Sequence, residues 1–209
     1  MNDKKKVILN AAKTLFNDKG YHNVTIRMIA LKLNMSSGNL NYHYKKREDI
    51  FEALYFEMVS EFDARVRDLP AVEVSISQIR NDIESSMKRM VAYTFFWTDL
   101  YNLLNVSEKV NEHFQGVYKN RKEGCLLLFK KMIEKGLMHK PDYEWDHKFL
   151  AERMVNYGNT WLYATGLYTK KINRKDLNIQ VNLLLSMLFP YLTPLGKKEF
   201  LTINSEFFY

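Results

Sequence analysis

The 209-residue sequence predicts an all-α protein. Apolar residues recur at three- and four-residue spacing along nearly the whole chain, which is the period of an amphipathic helix. Glycine and proline are scarce, at eight and four residues, and few segments alternate polar and apolar side chains as a half-buried strand does. These observations favour a bundle of helices throughout.

Charge and aromatic residues divide the chain into two parts. Residues 1–50 hold ten lysines and arginines against four acidic residues, whereas residues 51–209 hold 21 against 20. Most of the net charge of +7 therefore lies in the first quarter of the chain, while 25 of the 29 aromatic residues lie in the rest. This pattern predicts a small basic module followed by a larger, aromatic-rich domain.

The sequence also indicates where the protein works. No apolar run reaches the roughly 18 residues that a membrane-spanning helix needs. The lysines near the start resemble a signal peptide, but Asn10 and Lys13 interrupt the apolar segment and no cleavage site follows. A single cysteine, Cys125, permits no intramolecular disulfide. We therefore expect a cytoplasmic protein without membrane contact.

Residues 25–44 predict a helix, a tight turn and a second helix. A preceding helix ends at Gly20, a residue that tolerates the left-handed conformation after a helix C-terminus. Thr25 is suited to cap the next helix, Asn34 to adopt the left-handed turn, and Ser36 to cap the helix that follows.

The second helix of this pair has one apolar side and one polar side. Leu40 and Tyr44 are four residues apart and are predicted to point inward. The other side is small and hydrogen-bonding, and it comprises Ser37, Gly38, Asn41, Tyr42 and His43. A helix-turn-helix places such a face in the major groove of DNA, where it reaches base edges. Lys45, Lys46 and Arg47 would follow near the phosphates, so double-stranded DNA is the predicted partner.

These residues resemble the tetracycline-repressor (TetR/AcrR) family of bacterial transcription regulators. The likeness runs through AAKTLFNDKGYHNVTIRMIALKLNMSSGNLNYHYKKREDIF, in which T-x-x-x-I-A and S-x-G-x-L are spaced as in the family. Two residues depart from the pattern: Asn41 replaces a frequent tyrosine, and Lys46 replaces the usual capping residue of the fourth helix. The resemblance implies about nine to ten helices, with a DNA-binding domain at 1–46 and a dimerisation and effector-binding domain at 47–209.

The resemblance also implies roles for individual residues. Tyr42 and His43 would contact the DNA backbone, Ser37, Gly38 and Asn41 would lie nearest the bases, and Arg47 matches a usual lysine. The complete predicted DNA-binding set is Thr25, Arg27, Ser36, Ser37, Gly38, Asn41, Tyr42, His43, Lys45, Lys46 and Arg47. The alternatives without a DNA-binding role are that residues 37–43 form an exposed polar helix and that Lys45, Lys46 and Arg47 are the solvated start of a helix.

The rest of the chain predicts further helices at about 75–97, 107–137, 146–172 and 178–192, with the last segment a short helix or a frayed tail. The segment MVAYTFFWTDLYNLLNVSEKVNEHF and the helix after it are similar to the C-terminal domain of one subgroup. As in relatives, a homodimer would form through 146–172 and 178–192. There Gly158, Ala164 and Gly166 would permit close helix approach.

Aromatic residues at helical spacing invite the prediction of an effector pocket, although such residues are more often plain core. Phenol and indole groups suit a small, largely apolar effector with a few polar atoms. The candidates are Tyr93, Phe96, Trp97, Tyr101, Phe114, Tyr118, Tyr157 and Trp161.

Other kinds of site are not indicated by the sequence. His113, His139 and His147 lack metal-ligand spacing, Cys125 lies among leucines, and no catalytic constellation or cofactor motif is visible, so we expect no metal and no cofactor. The favoured hypothesis is a repressor released from a pseudo-palindromic operator by its effector. The alternatives are an activator or a ligand-independent regulator, and then an enzyme that carries an inherited DNA-binding module.

Overall fold

The computed structural model describes residues 3–68, 74–169 and 171–203, of which residues 61–68 are described as backbone alone. These residues form eleven α-helices and no strand, which confirms the all-α fold class. The helices are α1 Asp3–Lys19, α2 Ile26–Lys32, α3 Ser37–His43, α4 Arg47–Asp68, α5 Ile76–Ala92, α6 Thr94–Thr98, α7 Leu100–Leu104, α8 Glu108–Glu134, α9 Glu144–Gly166, α10 Arg174–Ser186 and α11 Pro194–Ile203. No described helix is long and apolar enough to cross a membrane.

The turns at the start of the chain adopt the conformations that their residues favour. Gly20, which follows α1, has φ +77°, and Asn34, which lies between α2 and α3, has φ +52°. Thr25 and Ser36 cap α2 and α3, because their hydroxyl oxygens accept hydrogen bonds from the backbone amides of Met28 and Asn39 at 3.3 and 3.2 Å. The short turn at Asn34 therefore sets the geometry of the α2–α3 pair.

The contacts group the chain into two compact units. The first comprises 1–65 and 92–113, and the second comprises 66–91 and 114–209. The predicted boundary between a DNA-binding domain at 1–46 and a dimerisation and effector-binding domain at 47–209 is a functional division and stays a prediction.

The first unit is built around contacting aromatic rings. Phe16 of α1 lies 5.2 Å from both Tyr21 and Phe95, measured between ring centroids. Phe96 of α6 continues the cluster to Phe51 of α4. The predicted helix at 75–97 is in fact divided, since Tyr93 leaves the helical conformation with ψ +44°. This break allows Phe95 and Phe96 to bury their rings in this core.

The second unit packs α5, the greater part of α8, α9, α10 and α11 around aliphatic and methionine side chains. The indole nitrogen of the buried Trp161 donates to the sulfur of Met90 at 3.2 Å. At α11, the backbone approaches so closely that a Cβ on Gly196 would lie 2.1 Å from the carbonyl oxygen of Leu137. Only glycine permits that approach.

Candidate functional site

Helix α3, the second helix of the predicted helix-turn-helix and the predicted DNA-recognition helix, has the orientation that its sequence predicts. Leu40 is fully buried and Tyr44, which ends the helix, is 8% exposed. A seven-residue helix is too short to be stable alone, so these two side chains hold it on the first unit. Its outward side is consequently free of any role in the core.

The structure brings most of the predicted DNA-binding residues to the exterior. Thr25, Arg27, Ser36, Gly38, Asn41, Tyr42, Lys45 and Lys46 are exposed, while Ser37, His43 and Arg47 are half-buried. Tyr42 is 87% exposed, which is unusual for a residue with so large an apolar ring. The capping hydroxyls of Thr25 and Ser36 accept from their helices but retain a proton to donate, for example to a phosphate oxygen. What each residue contacts on DNA stays a prediction.

Lys46 stands at the capping position of α4 and makes half of a capping box. Its backbone amide donates to the carboxylate of Asp49 at 2.9 Å. The reciprocal hydrogen bond needs a short polar side chain at position 46, and lysine has no acceptor to offer. The position therefore carries a cation where a capping residue would stabilise the helix.

We expect Lys46→Ser to stabilise the protein and to weaken DNA binding together. The serine hydroxyl completes the capping box and raises the free energy of unfolding by about 1 kcal/mol. Loss of the predicted phosphate contact from both copies of the predicted dimer should make the slope of log affinity against log salt shallower by about 1.8. The matched control is Lys45→Ser, which removes the same charge without adding a cap and should leave the free energy of unfolding unchanged. Urea unfolding and fluorescence anisotropy measure the two effects; equal stability of the two variants would contradict the assignment of the cap.

Arg47 is placed differently from the two lysines before it. Its guanidinium donates to the backbone carbonyl oxygens of Tyr21, His22 and Val24, at 3.2, 3.3 and 2.9 Å. It also lies 4.1 Å from the centroid of the Tyr21 ring. The arginine thus faces the turn between α1 and α2.

Lys5, one of three successive lysines that the sequence-based set omits, lies beside the end of α3. The ammonium group of Lys5 is 5.8 Å above the ring of Tyr44, so the first turn of α1 lies next to the end of α3. Lys4, Lys5 and Lys6 are all exposed. Cations are unfavourable at a helix N-terminus, where the backbone dipole favours acids. The run of three lysines in that first turn is therefore the feature of the sequence that could have indicated a contact with DNA.

The second unit contains a cavity of about 270 Å³ between four of its helices. Its wall is largely apolar, with three methionines from α5 and α9, and it includes two glycines, Gly124 and Gly158. The polar wall residues include Arg121, Asp82 and Asn120. Arg121 is hydrogen-bonded to Asn159 at 2.7 Å. A largely apolar wall with a few polar groups is typical of small-molecule sites.

Cys125 also lines this cavity. Burial raises the pKa of its thiol to about 11, although the nearby Arg121 guanidinium partly opposes the shift. The thiol is therefore protonated at neutral pH and behaves as a small apolar part of the wall.

None of the eight aromatic candidates lines this cavity. Tyr93, Phe96 and Trp97 are buried in the first unit, and Tyr101 is 83% exposed. Tyr118 hydrogen-bonds Glu152, and burial raises the pKa of the half-buried Tyr157 phenol. Phe114 is half-buried, and Trp161 contacts the wall residue Met90 without lining the cavity. An aromatic-lined pocket stays a prediction. The methionine-rich wall comes from distant segments, which sequence periodicity does not bring together.

Two of the three histidines considered for a metal site have aromatic or hydroxyl neighbours. His147 is buried between the rings of Phe129 and Tyr191, and His113 accepts from or donates to the hydroxyl of Tyr55 at 2.9 Å. Within the described ranges, no three histidine, cysteine or acidic side chains are arranged to hold a metal ion.

Similar structures share this fold over nearly the full chain. A TetR-family transcriptional regulator from Marinobacter aquaeolei is 23% identical, with a TM-score of 0.87, and the match covers 97% of each chain. A putative transcriptional regulator from Saccharomonospora viridis in complex with choline is 19% identical, with a TM-score of 0.69, over 92% of this chain and 98% of the other. The fatty acid degradation regulator FadR from Bacillus halodurans is 18% identical, with a TM-score of 0.68, over 90% and 95%.

Family models give the assignment from sequence. No curated protein matches the chain significantly. Residues 8–54 match the model described as bacterial regulatory proteins of the tetR family. Residues 57–200 match a second TetR model, described as a bacterial transcriptional repressor. Together with the outward-facing α3, these matches establish that the chain belongs to the TetR family of DNA-binding bacterial transcriptional regulators.

Proposed function

We propose that this regulator is a cytoplasmic repressor, not an enzyme, that binds a pseudo-palindromic operator as a homodimer and leaves it when an effector binds. The observation that carries the proposal is the two-sided α3, with Leu40 and Tyr44 buried and Asn41 and Tyr42 exposed. The repressor description of the matching family model supports the sign of regulation.

The outward side of α3 supplies the groups that read DNA. An asparagine such as Asn41 pairs in two places with adenine in the major groove, and Ser37 and Gly38 allow the helix to approach the bases closely. Tyr42 and His43 contact phosphates and fix the register of the protein on the duplex. Lys45, Lys46 and the Lys4–Lys6 run add positive charge beside this face, which makes affinity depend steeply on salt.

A second copy of the chain is the partner proposed for α9 and α10. Large apolar side chains are exposed on both helices: Trp145, Phe149 and Tyr163 on α9, Leu167 directly after it, and Ile179 and Leu183 on α10. Extended apolar surface of this kind marks an interaction site. A two-fold dimer buries the same patch on both copies and sets two recognition helices roughly 34–36 Å apart, one turn of DNA.

The cavity of the second unit is the proposed effector site. The similar structure from Saccharomonospora viridis holds choline, whose quaternary ammonium is usually recognised by aromatic faces. The wall residues of this cavity are aliphatic, methionine and polar instead. They fit an aliphatic effector better, as the subject of the FadR structure, fatty acid degradation, would suggest. Such a ligand releases DNA only if it binds the DNA-free geometry more tightly than the DNA-bound one.

Selection from a random duplex library tests the DNA-binding proposal and finds the operator sequence in the same experiment. Purified dimer at about 50 mM salt should enrich an inverted repeat with half-sites one helical turn apart. Failure of a folded dimer to enrich any sequence would count against the proposal. Reporter expression from a promoter overlapping the selected site then separates repression from activation.

Two neighbouring substitutions distinguish base readout from backbone contact. We expect Tyr42→Ala to weaken binding to all duplexes by a similar factor, because a phosphate contact carries no sequence information. Asn41→Ala should instead change which operator variants are preferred, with a penalty of about 1–3 kcal/mol at one base pair. Anisotropy titrations against single-base variants of the selected site measure both effects, and the reverse pattern would overturn the assignment.

A further inference from the structure

The start of α4 is fastened to the turn between α1 and α2 by one side chain. The guanidinium of Arg47 donates to three carbonyl oxygens within four residues, those of Tyr21, His22 and Val24. These acceptors precede it by 23 to 26 positions in the chain. Val24 is fully buried and directly precedes Thr25, the cap of α2. The first residue of α4 therefore fixes the point at which the helix-turn-helix begins.

The chemistry of this contact is particular to arginine. A guanidinium presents five N–H donors in a rigid plane, which can serve several carbonyls at once, and its flat face stacks on an aromatic ring. Here it lies 4.1 Å from the centroid of Tyr21. All three carbonyls accept from a single nitrogen, Nη1, while Nη2 lies 3.7 Å from the Glu48 carboxylate. A lysine ammonium carries the same charge, but it has no second nitrogen for that carboxylate and no flat face to stack on the Tyr21 ring.

A second contact closes the same junction. The hydroxyl of Tyr21 donates to the carboxylate of Glu48 at 3.2 Å, and that carboxylate lies 3.7 Å from the Arg47 guanidinium. Burial raises the pKa of the Tyr21 phenol to about 12, so it remains a neutral donor at neutral pH. Tyr21 thus contacts both of the first two residues of α4.

This geometry conflicts with a phosphate contact by Arg47. Its side chain is only 25% exposed. A phosphate contact through Nη1 would cost its three hydrogen bonds to carbonyl oxygens, and one through Nη2 would compete with the Glu48 carboxylate 3.7 Å away. The adjacent Lys45 and Lys46 are exposed and available for that task.

We propose that Arg47 is a positioning residue for DNA binding, which locks the start of α4 to the α1–α2 turn and thereby orients α2 and α3 for the major groove. The proposal rests on the DNA binding proposed above. In the absence of this lock the helix-turn-helix still folds around Leu40 and Tyr44, but its attachment to α4 is looser. Affinity falls because the protein must be ordered on binding.

The test compares Arg47→Lys and Arg47→Gln with wild type on a fluorescein-labelled duplex selected by the wild-type protein. Because the slope of log affinity against log salt counts neutralised phosphates, it separates positioning from phosphate contact. We expect both variants to bind on the order of ten- to a hundredfold more weakly at every salt concentration, with the wild-type slope. Thermal unfolding by circular dichroism confirms that each is folded at the assay temperature.

The matched control is Lys45→Gln, which removes one phosphate contact from each copy of the dimer and should make the slope shallower by about 1.8. Restoration of wild-type affinity by Arg47→Lys, or a shallower slope in Arg47→Gln, would show that Arg47 acts through its charge and would overturn the proposal. Unchanged affinity in both variants would overturn it equally. Should the wild type select no duplex at all, DNA binding itself fails, which is a separate result.

Discussion

Replacement of Leu183 by glutamate is expected to yield a folded monomer that has lost its operator. Leu183 is 48% exposed on α10, whereas its neighbours Leu184 and Leu185 are buried. In the proposed two-fold dimer, the new carboxylates would be buried without partners at the interface, a cost that a standard interface does not tolerate. The monomer itself keeps its core, so its unfolding temperature should change little.

The mass and the DNA affinity of this variant should change together. Light scattering should give 24.9 kDa for the variant and twice that for the wild type. Operator affinity should fall on the order of a hundredfold or more, because the two half-sites no longer bind as a linked pair. The salt slope should halve. Leu127→Glu on α8, at a leucine that is 42% exposed, is the matched control and should remain dimeric. A dimeric Leu183→Glu would place the interface elsewhere.

Gly158→Leu is expected to abolish the response to effectors while preserving DNA binding. Gly158 lies within α9 and lines the cavity, and a Cβ at this position would meet no atom within 4 Å. The Cβ of a leucine is therefore accommodated and its isobutyl group occupies cavity volume, and leucine favours the helix by about 1 kcal/mol relative to glycine. Gly116→Leu on α8 is the matched control, since Gly116 is also unobstructed but lies outside the cavity wall.

Three eight-carbon probes identify the head group that the cavity accepts: 1-octanol, octanoate and octyltrimethylammonium. The wall contains one arginine and one aspartate, so an ion of either sign meets one like and one opposite charge. Because the rest of the wall is largely apolar, burying an ion there also costs its hydration, and we expect the neutral alcohol to bind best. It should raise the melting temperature and release DNA in the wild type and in Gly116→Leu, but not in Gly158→Leu. An equal response in the two variants would place the effector site elsewhere, and no response to any probe would exclude aliphatic effectors of this size.

The local features of the DNA-binding module could be predicted from sequence because each depends on neighbouring residues. Positive φ could be predicted at Gly20 and Asn34 because glycine and asparagine are among the few residues that tolerate it. Leu40 and Tyr44 share a face because they are one helical turn apart. The TetR motif adds the order of the helices.

The remaining features depend on contacts between distant segments. The aromatic candidates are apolar enough for either core or cavity, and only packing decides between them; Phe96, for example, contacts Phe51 and Tyr55 in the first unit. The helix break at Tyr93 could not be predicted, because no glycine or proline lies at or beside this position. Arg47 follows two exposed lysines, and nothing local distinguishes it from them, since its acceptors lie more than twenty residues upstream.

The separation of buried and outward-facing positions in α3 has an evolutionary consequence. Two buried side chains hold the helix in place, so the outward positions, such as Ser37 and Asn41, are under little constraint from folding. With the proposed base readout and effector site, exchange of those few residues would retarget the protein to a new promoter while the second unit keeps the same effector. Duplicated genes could therefore acquire separate regulatory circuits through a handful of surface mutations, without first gaining stability to tolerate them.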